Sequence, residues 1–182
     1  MKKLFKSARG FTLIELLIVI AVIGVLAAIV LAAIDPAEQL ARGRDSSRLQ
    51  TVAGLGHAMA AYETVQQSNL TGAPALPIPS TTWANAIINS GDIKNLPAAP
   101  GGSSCTPAAN NDGSWCYTVV GTDFVIWTNV ESKSATTKAA NGVATGCGAG
   151  NVAVYAYDST KGQAGATCIS ASSAPSTGLT LH

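Results

Sequence analysis

One carboxylate stands among apolar side chains. Glu15 heads an otherwise uncharged run, Leu16 to Ile34, in a chain of 182 residues. A carboxylate inside a membrane-length apolar helix costs on the order of 2.5–3.5 kcal/mol at the bilayer centre and less near an end. Such a charge needs a partner or a task. Just before it lie Gly10-Phe11-Thr12-Leu13-Ile14, and before those four basic side chains, Lys2, Lys3, Lys6 and Arg9. The second set able to do covalent chemistry is Cys105, Cys116, Cys147 and Cys168. An even number of cysteines behind an export-like N-terminus reads as two disulfides formed in an oxidising compartment. A zinc site is disfavoured, since no C-x-x-C is present and the only histidines are His57 and His182. Four cysteines allow three pairings. The local ones, Cys105–Cys116 and Cys147–Cys168, are preferred, although spacing alone does not decide between the three.

Catalytic patterns are missing. There is no G-x-S-x-G, H-E-x-x-H, P-loop or G-x-G-x-x-G. Asn110-Asn111-Asp112-Gly113 reads as a turn rather than a metal loop, and no EF-hand spacing occurs. An enzyme is therefore the least expected class, and neither a cofactor nor a metal is implied. His57 reads as a helix-surface histidine rather than a ligand.

The element that must position Glu15 is long. The apolar run from Leu16 to Ile34 with the five residues before it makes 24 residues, or about 36 Å of helix at about 1.5 Å per residue. A bilayer core of roughly 30 Å is spanned by about 20 apolar residues, so this stretch crosses once with some tilt. A secretory signal peptide shares the outline of basic residues before an apolar run. Here the run exceeds the usual h-region, no A-x-A site follows it, and Glu15 falls inside it. A plain signal anchor leaves Glu15 unexplained.

The run K-S-A-R-G-F-T-L-I-E-L-L-I-V-I-A-V-I-G-V-L-A-A-I resembles the N-terminus of the type IV pilin superfamily, which includes pilins, type II secretion pseudopilins and competence pilins. The resemblance implies that a membrane-embedded prepilin peptidase cleaves between Gly10 and Phe11 on the cytoplasmic side. It implies that Phe11 is then N-methylated and that residues 11–182 form the mature chain. Cleavage creates an ammonium at Phe11, four residues from Glu15 on one helix face. In the superfamily, Glu15 would pair with the Phe11 amine of a neighbouring subunit as a filament grows. A buried pair is tolerable, whereas either charge alone is costly, so the pair would act as a register device. Topology would be N-in, C-out. The basic bias supports this only modestly, because Arg42, Arg44 and Arg48 follow the span closely.

Gly24 lies mid-span. By itself it suits close helix packing in lipid. The resemblance adds local melting near this glycine when subunits pack into filaments. Ala32 stands where many pilins carry a proline, and the proline here comes later, at Pro36. Asp35-Pro36-Ala37-Glu38 reads as a fresh helix start, with Asp35 as N-cap and Pro36 at the first helical position. A break or kink is expected near Ile34–Pro36.

Four segments follow from this reading: a removed leader at 1–10, a transmembrane and assembly helix at 11–34, its amphipathic extension at 35–69, and a disulfide-containing sheet domain at 70–182. Along the extension Leu49, Val52, Leu55, Met59, Tyr62 and Val65 recur at spacings of three and four, a stripe for packing on the sheet. Residues 42–48 read either as a solvated charged face with an Asp45–Arg48 pair, or as contacts to headgroups or to other subunits. Trp83–Asn89 reads as a short helix capped by Thr81 or Thr82. Trp115–Val120 and Phe124–Val130 read as a hairpin, Val152–Tyr157 as a third strand and Ala166–Ser170 as a fourth. Ser132–Gly150 reads as a small-residue loop, and the tail from Ala171 as a candidate for disorder. The class is α+β, a long N-terminal helix on a small antiparallel sheet, which agrees with the pilin-like fold the resemblance implies.

Beyond residue 10, seven Lys/Arg face ten Asp/Glu, a net charge of −3. No polyanion is indicated, so no specific nucleic acid is expected as a partner. The leading expectation is a structural subunit that polymerises through its apolar helix. Its implied partners are identical or related pilin subunits, the prepilin peptidase, an inner-membrane assembly platform with its ATPase, and membrane lipid. It would sit in the inner membrane before assembly and in a pilus or periplasmic pseudopilus afterwards. The alternatives are a type II secretion pseudopilin and a membrane-anchored extracytoplasmic binding domain that never polymerises.

Overall fold

The computed structural model describes residues 10–68, 83–99, 111–112, 115–140 and 146–182. The chain divides into two units, one ending at Ala37 and the other running from Glu38 to His182. In the first unit, α1 spans Leu13–Ala33 and carries no charge except Glu15. Every α1 side chain is exposed, and its most apolar window has a mean hydropathy of 3.3. The backbone at Gly24 is helical. The interruption comes at Ile34, whose φ of −106° and ψ of 132° are extended. Pro36 bounds the break: it has no N–H to carry α1 on, and its ring disfavours the helical region for Asp35, the residue after Ile34. Asp35 then accepts the Ala37 N–H at 3.1 Å, which caps the next helix.

The second unit is α2 (Pro36–Ser68, from Glu38 onward), α3 (Trp83–Asn89), α4 (Lys133–Ala139) and a five-stranded antiparallel meander. The strands are β1 (Asn111–Asp112), β2 (Trp115–Val120), β3 (Asp123–Asn129), β4 (Asn151–Asp158) and β5 (Gln163–Ser170). The architecture is α+β, as expected. Period-two patterning placed the four long strands, and their register follows, with Tyr117 opposite Ile126 and Ile126 opposite Tyr157.

One sheet face is covered by α2 and α3. Val52, Leu55, Met59 and Tyr62 of α2 meet Trp83 and Ile87 of α3 over Trp115, Tyr117, Phe124, Ile126 and Tyr157. Leu49 is half-buried against α4, whereas Val65 is 56% exposed and leaves the stripe. Gly56 sits directly on the Tyr157 ring; a Cβ there would lie 2.1 Å from a ring carbon. His57 is exposed and sets its ring edge-on to Tyr157 at 5.3 Å. The opposite face, with Val125, Trp127, Val154, Ala156 and Ile169, receives Leu179 and Leu181.

Two local expectations are corrected. The stretch after Ser132 is not all loop: Lys133–Ala139 is helical, with Ser132 as N-cap accepting the Ala135 N–H at 3.1 Å. A serine three residues ahead of an alanine in a small-residue run is a weak signal, and packing of Ala135 and Ala139 against Tyr155 and Ala166 completes it. The tail from Ala171 is ordered. The Asp158 carboxylate accepts the Gly178 and Leu179 N–H groups at 2.6 and 2.8 Å, and His182 exchanges two backbone hydrogen bonds with Ala166 on the outer edge of β5. This covers an edge that would otherwise offer unpaired groups. Asn111 and Asp112 are a short strand paired with Cys116 and Trp115, while Asn110 and Gly113 of the expected turn lie outside the described residues. The expected caps Thr81 and Thr82 lie outside the described residues.

Candidate functional site

Gly10 and Phe11 precede the first turn of α1. Both are exposed, Phe11 to 84%, and nothing lies within 4 Å of the position a Cβ would take on Gly10. The Gly10–Phe11 peptide is thus exposed and outside the helix ladder. α1 opens with a reciprocal cap. The Glu15 N–H donates to Thr12 Oγ1 at 3.3 Å, while Glu15 Oε2 accepts the Thr12 N–H at 2.9 Å and its hydroxyl at 2.8 Å. This is a capping box, and it occupies orphan donors at the helix start.

The box changes what Glu15 is. Its charge has a local partner set already in the uncleaved chain, at a helix N-terminus where the peptide dipoles favour an anion. Both bonds from Thr12 use Oε2, so Oε1 stays open toward a further donor. Cleavage before Phe11 would place an ammonium one residue from Thr12. Sequence reasoning assigned Glu15 to that amine and passed over Thr12, although the T-x-x-E pattern that marks a capping box is present in Thr12-Leu13-Ile14-Glu15.

Elsewhere the sequence-predicted residues are spread. Pro36 starts α2, and Gly24 lies within α1 with no neighbour within 4 Å of an added Cβ. Cys147 and Cys168 form a disulfide with Cα atoms 5.6 Å apart, tying the segment after α4 to β5. Cys116 is also disulfide-bonded, and Cys105 lies outside the described residues. No group of three or more metal-ligating side chains occurs among the described residues.

The charged stretch at 42–48 is solvated only in part: Arg42, Gly43, Ser46 and Ser47 are exposed, while the expected Asp45–Arg48 pair forms and is buried. Asp45 and Arg48 are each 2% exposed and bond to one another at 2.9 Å. Asp45 also accepts the Glu131 N–H at 3.0 Å and the Ser132 N–H at 2.7 Å. Glu131 takes Arg44 Nε at 2.9 Å and Arg48 Nη2 at 3.1 Å. Glu38 takes Arg42 at 3.1 Å and the Lys133 and Ser134 N–H groups at 3.1 and 3.2 Å. The Arg44 hydrogen bond, then the charges of Arg44 and Arg48, hold the Glu131 carboxyl below its usual range. Backbone hydrogen bonds, from Lys133 first, do the same for Glu38. Each of these arginines has a carboxylate partner within the chain.

No curated protein and no solved structure matches this chain. The family model that does match covers residues 5–31, from the basic leader into α1, and ends before the sheet unit begins. An exposed Gly10–Phe11 junction, a capped Glu15 and an uninterrupted apolar helix occupy those same residues, and on this ground the chain carries the prokaryotic N-terminal methylation motif, the type IV prepilin-type signal.

Proposed function

We propose that this chain is the structural subunit of a type IV pilus-like filament, assembled after cleavage between Gly10 and Phe11. The observation that carries the reading is α1 itself. It is a 21-residue helix, exposed over its whole length, apolar but for one carboxylate in its first turn, and lies within the methylation motif as far as residue 31. A helix hydrophobic all round has to be surrounded, by lipid before assembly and by other copies afterwards. Phe11 and Glu15 are the assembly residues: the open Oε1 of Glu15 accepts the methylated amine of a neighbouring Phe11, and Gly24 and Pro36 supply the places where the helix yields. The partners are then further subunits, the prepilin peptidase, the membrane platform with its ATPase, and lipid. The chain waits as a single-pass, N-in protein of the cytoplasmic membrane. Ala32 in place of the usual proline favours a second reading within the same family, a periplasmic pseudopilus.

Mass analysis of the N-terminus from host membranes should show monomethyl-Phe11; a mature chain beginning at Met1 or beyond Ile34 sinks the reading. Glu15→Ala should leave membrane insertion intact and abolish filaments in sheared and periplasmic fractions. Normal assembly of that variant overturns the Phe11–Glu15 pairing.

A further inference from the structure

The two halves of α2 are fastened in different ways. Its N-terminal half is held by charge, through Glu38, Arg44, Asp45 and Arg48 against residues 131–134. Its C-terminal half is held by apolar packing of Leu55, Met59 and Tyr62, and within it stands one acid, Glu63. The Oε1 atom of Glu63 is buried and has no hydrogen-bond partner. The Tyr117 hydroxyl on β2, also buried, has none either. Burying an ionised carboxyl without a partner is costly, and the group avoids the cost by keeping its proton.

Among the described residues no cation pairs with it. Among the described residues the ion pairs engage Arg42, Arg44 and Arg48, all at least fifteen residues earlier on α2, and none involves Glu63. Lys161 is bonded to the Leu179 carbonyl. Residues 69–82, 100–110, 113–114 and 141–145 contain neither Lys nor Arg. The titratable groups on the elements around Glu63 are Asp123 at the start of β3, Tyr117 on β2, Tyr157 on β4, and His57 on α2 itself. Asp123 accepts the Ser159 hydroxyl at 3.1 Å and stays an acid facing another acid.

We propose that Glu63 is a proton-controlled fastener of the C-terminal half of α2: protonated, it lets that half seat on the sheet, and ionised, it loosens the seat. Burial first, then the charge of Asp123, pushes its carboxyl up to about 7, so the change falls within the range a cell envelope and its surroundings pass through. The sign follows from linkage. A carboxyl raised in the folded state contributes stability that is fully present below its unfolded value of 4.5 and is lost as pH rises through about 7. The N-terminal half keeps its charge network throughout, so loosening is confined to the end of α2. This device does not depend on whether the chain polymerises.

The chain contains four glutamates, Glu15, Glu38, Glu63 and Glu131. The full chain in detergent micelles, labelled with carboxyl-13C glutamate, should give one signal that titrates near neutrality and is missing in Glu63→Gln. In the same micelles, tryptophan-monitored melting of the wild type should fall by about 3–6 °C between pH 5 and pH 8, while Glu63→Gln changes by much less. Asp123→Asn should move the carboxyl midpoint downward. All four glutamates titrating below about pH 5, or the same melting loss in Glu63→Gln, overturns the proposal. So does a Glu63→Gln chain that fails to fold at pH 8, because the neutral isostere must tolerate the seat.

Discussion

At the scale of single residues, two side chains acquire meaning from very short distances. Thr12 is the partner of Glu15 Oε2 among the described residues, so the carboxylate is held at the helix start with one oxygen outward. Gly56 is the other case. A glycine inside a helix ordinarily costs about 1 kcal/mol against alanine, which suggests that Gly56→Ala would stabilise α2. The structure reverses that sign, because the added Cβ would come within 2.1–2.4 Å of three Tyr157 ring carbons. Gly56→Ala should therefore destabilise the sheet unit by about 1–3 kcal/mol through overpacking, while Gly54→Ala, which meets nothing within 4 Å, should be neutral or stabilising. Urea unfolding of the two variants side by side checks the contrast. The sequence shows both glycines in an identical helical pattern. Which of them touches a ring depends on helix rotation over the sheet, which the pattern specifies only to within a residue.

At the scale of elements, the joint between α2 and the β3–α4 connection does the positioning. The Asp45 carboxylate holds two backbone N–H groups and Arg48 at once. Asp45→Ala should cost about 3–5 kcal/mol, because it leaves Arg48 buried with a half-exposed partner and orphans the start of α4. Replacing a buried ion pair with apolar residues is often neutral, but Asp45→Leu with Arg48→Met should not recover stability here. The Glu131 and Ser132 N–H groups would still lack an acceptor. Full recovery of the double variant in a denaturation series would show that the salt bridge, and not the backbone capture, is what matters. The i,i+3 spacing of Asp45 and Arg48 was legible from the sequence. Their burial was not, since the partners lie 86 and 87 residues away and only the folded sheet brings them together. The same holds for Asp158, whose grip on Gly178 and Leu179 turns a low-complexity tail into cover for a sheet face.

At the scale of the whole molecule, the acids set opposing pH trends. Hydrogen bonds from Arg44 and from backbone N–H groups depress Glu131 and Glu38. For Asp158, burial works against ionisation, but hydrogen bonds from Thr160, Leu179 and Gly178 together hold it below its usual range. Stability contributed by these three is fully present above their unfolded values, 4.5 for the glutamates and 3.8 for the aspartate. It is lost as pH falls through the depressed ones. Glu63 acts in the reverse sense over 4.5 to about 7. The melting temperature of the detergent-solubilised chain should thus be highest at about pH 5, decline toward neutrality and drop steeply in acid. A maximum above pH 7 would contradict this balance of groups.

Two kinds of information divide the protein. Sequence alone determined the methylation motif, the apolar helix, the break before Pro36, the helical stripe of α2 and the four long strands. These rest on local chemistry and on periods of 3.6 and 2 that any short window displays. Tertiary structure alone decided that Asp45 and Arg48 face inward, that Lys133–Ala139 is helical, that the tail closes the edge of β5, and that Oε1 of Glu63 is buried with no hydrogen-bond partner. Each of those outcomes depends on a group that meets its surroundings only after distant segments have packed. A carboxylate reads the same in sequence whether it ends up bonded to two backbone amides, as Asp45 is, to three, as Asp158 is, or to none, as at Oε1 of Glu63.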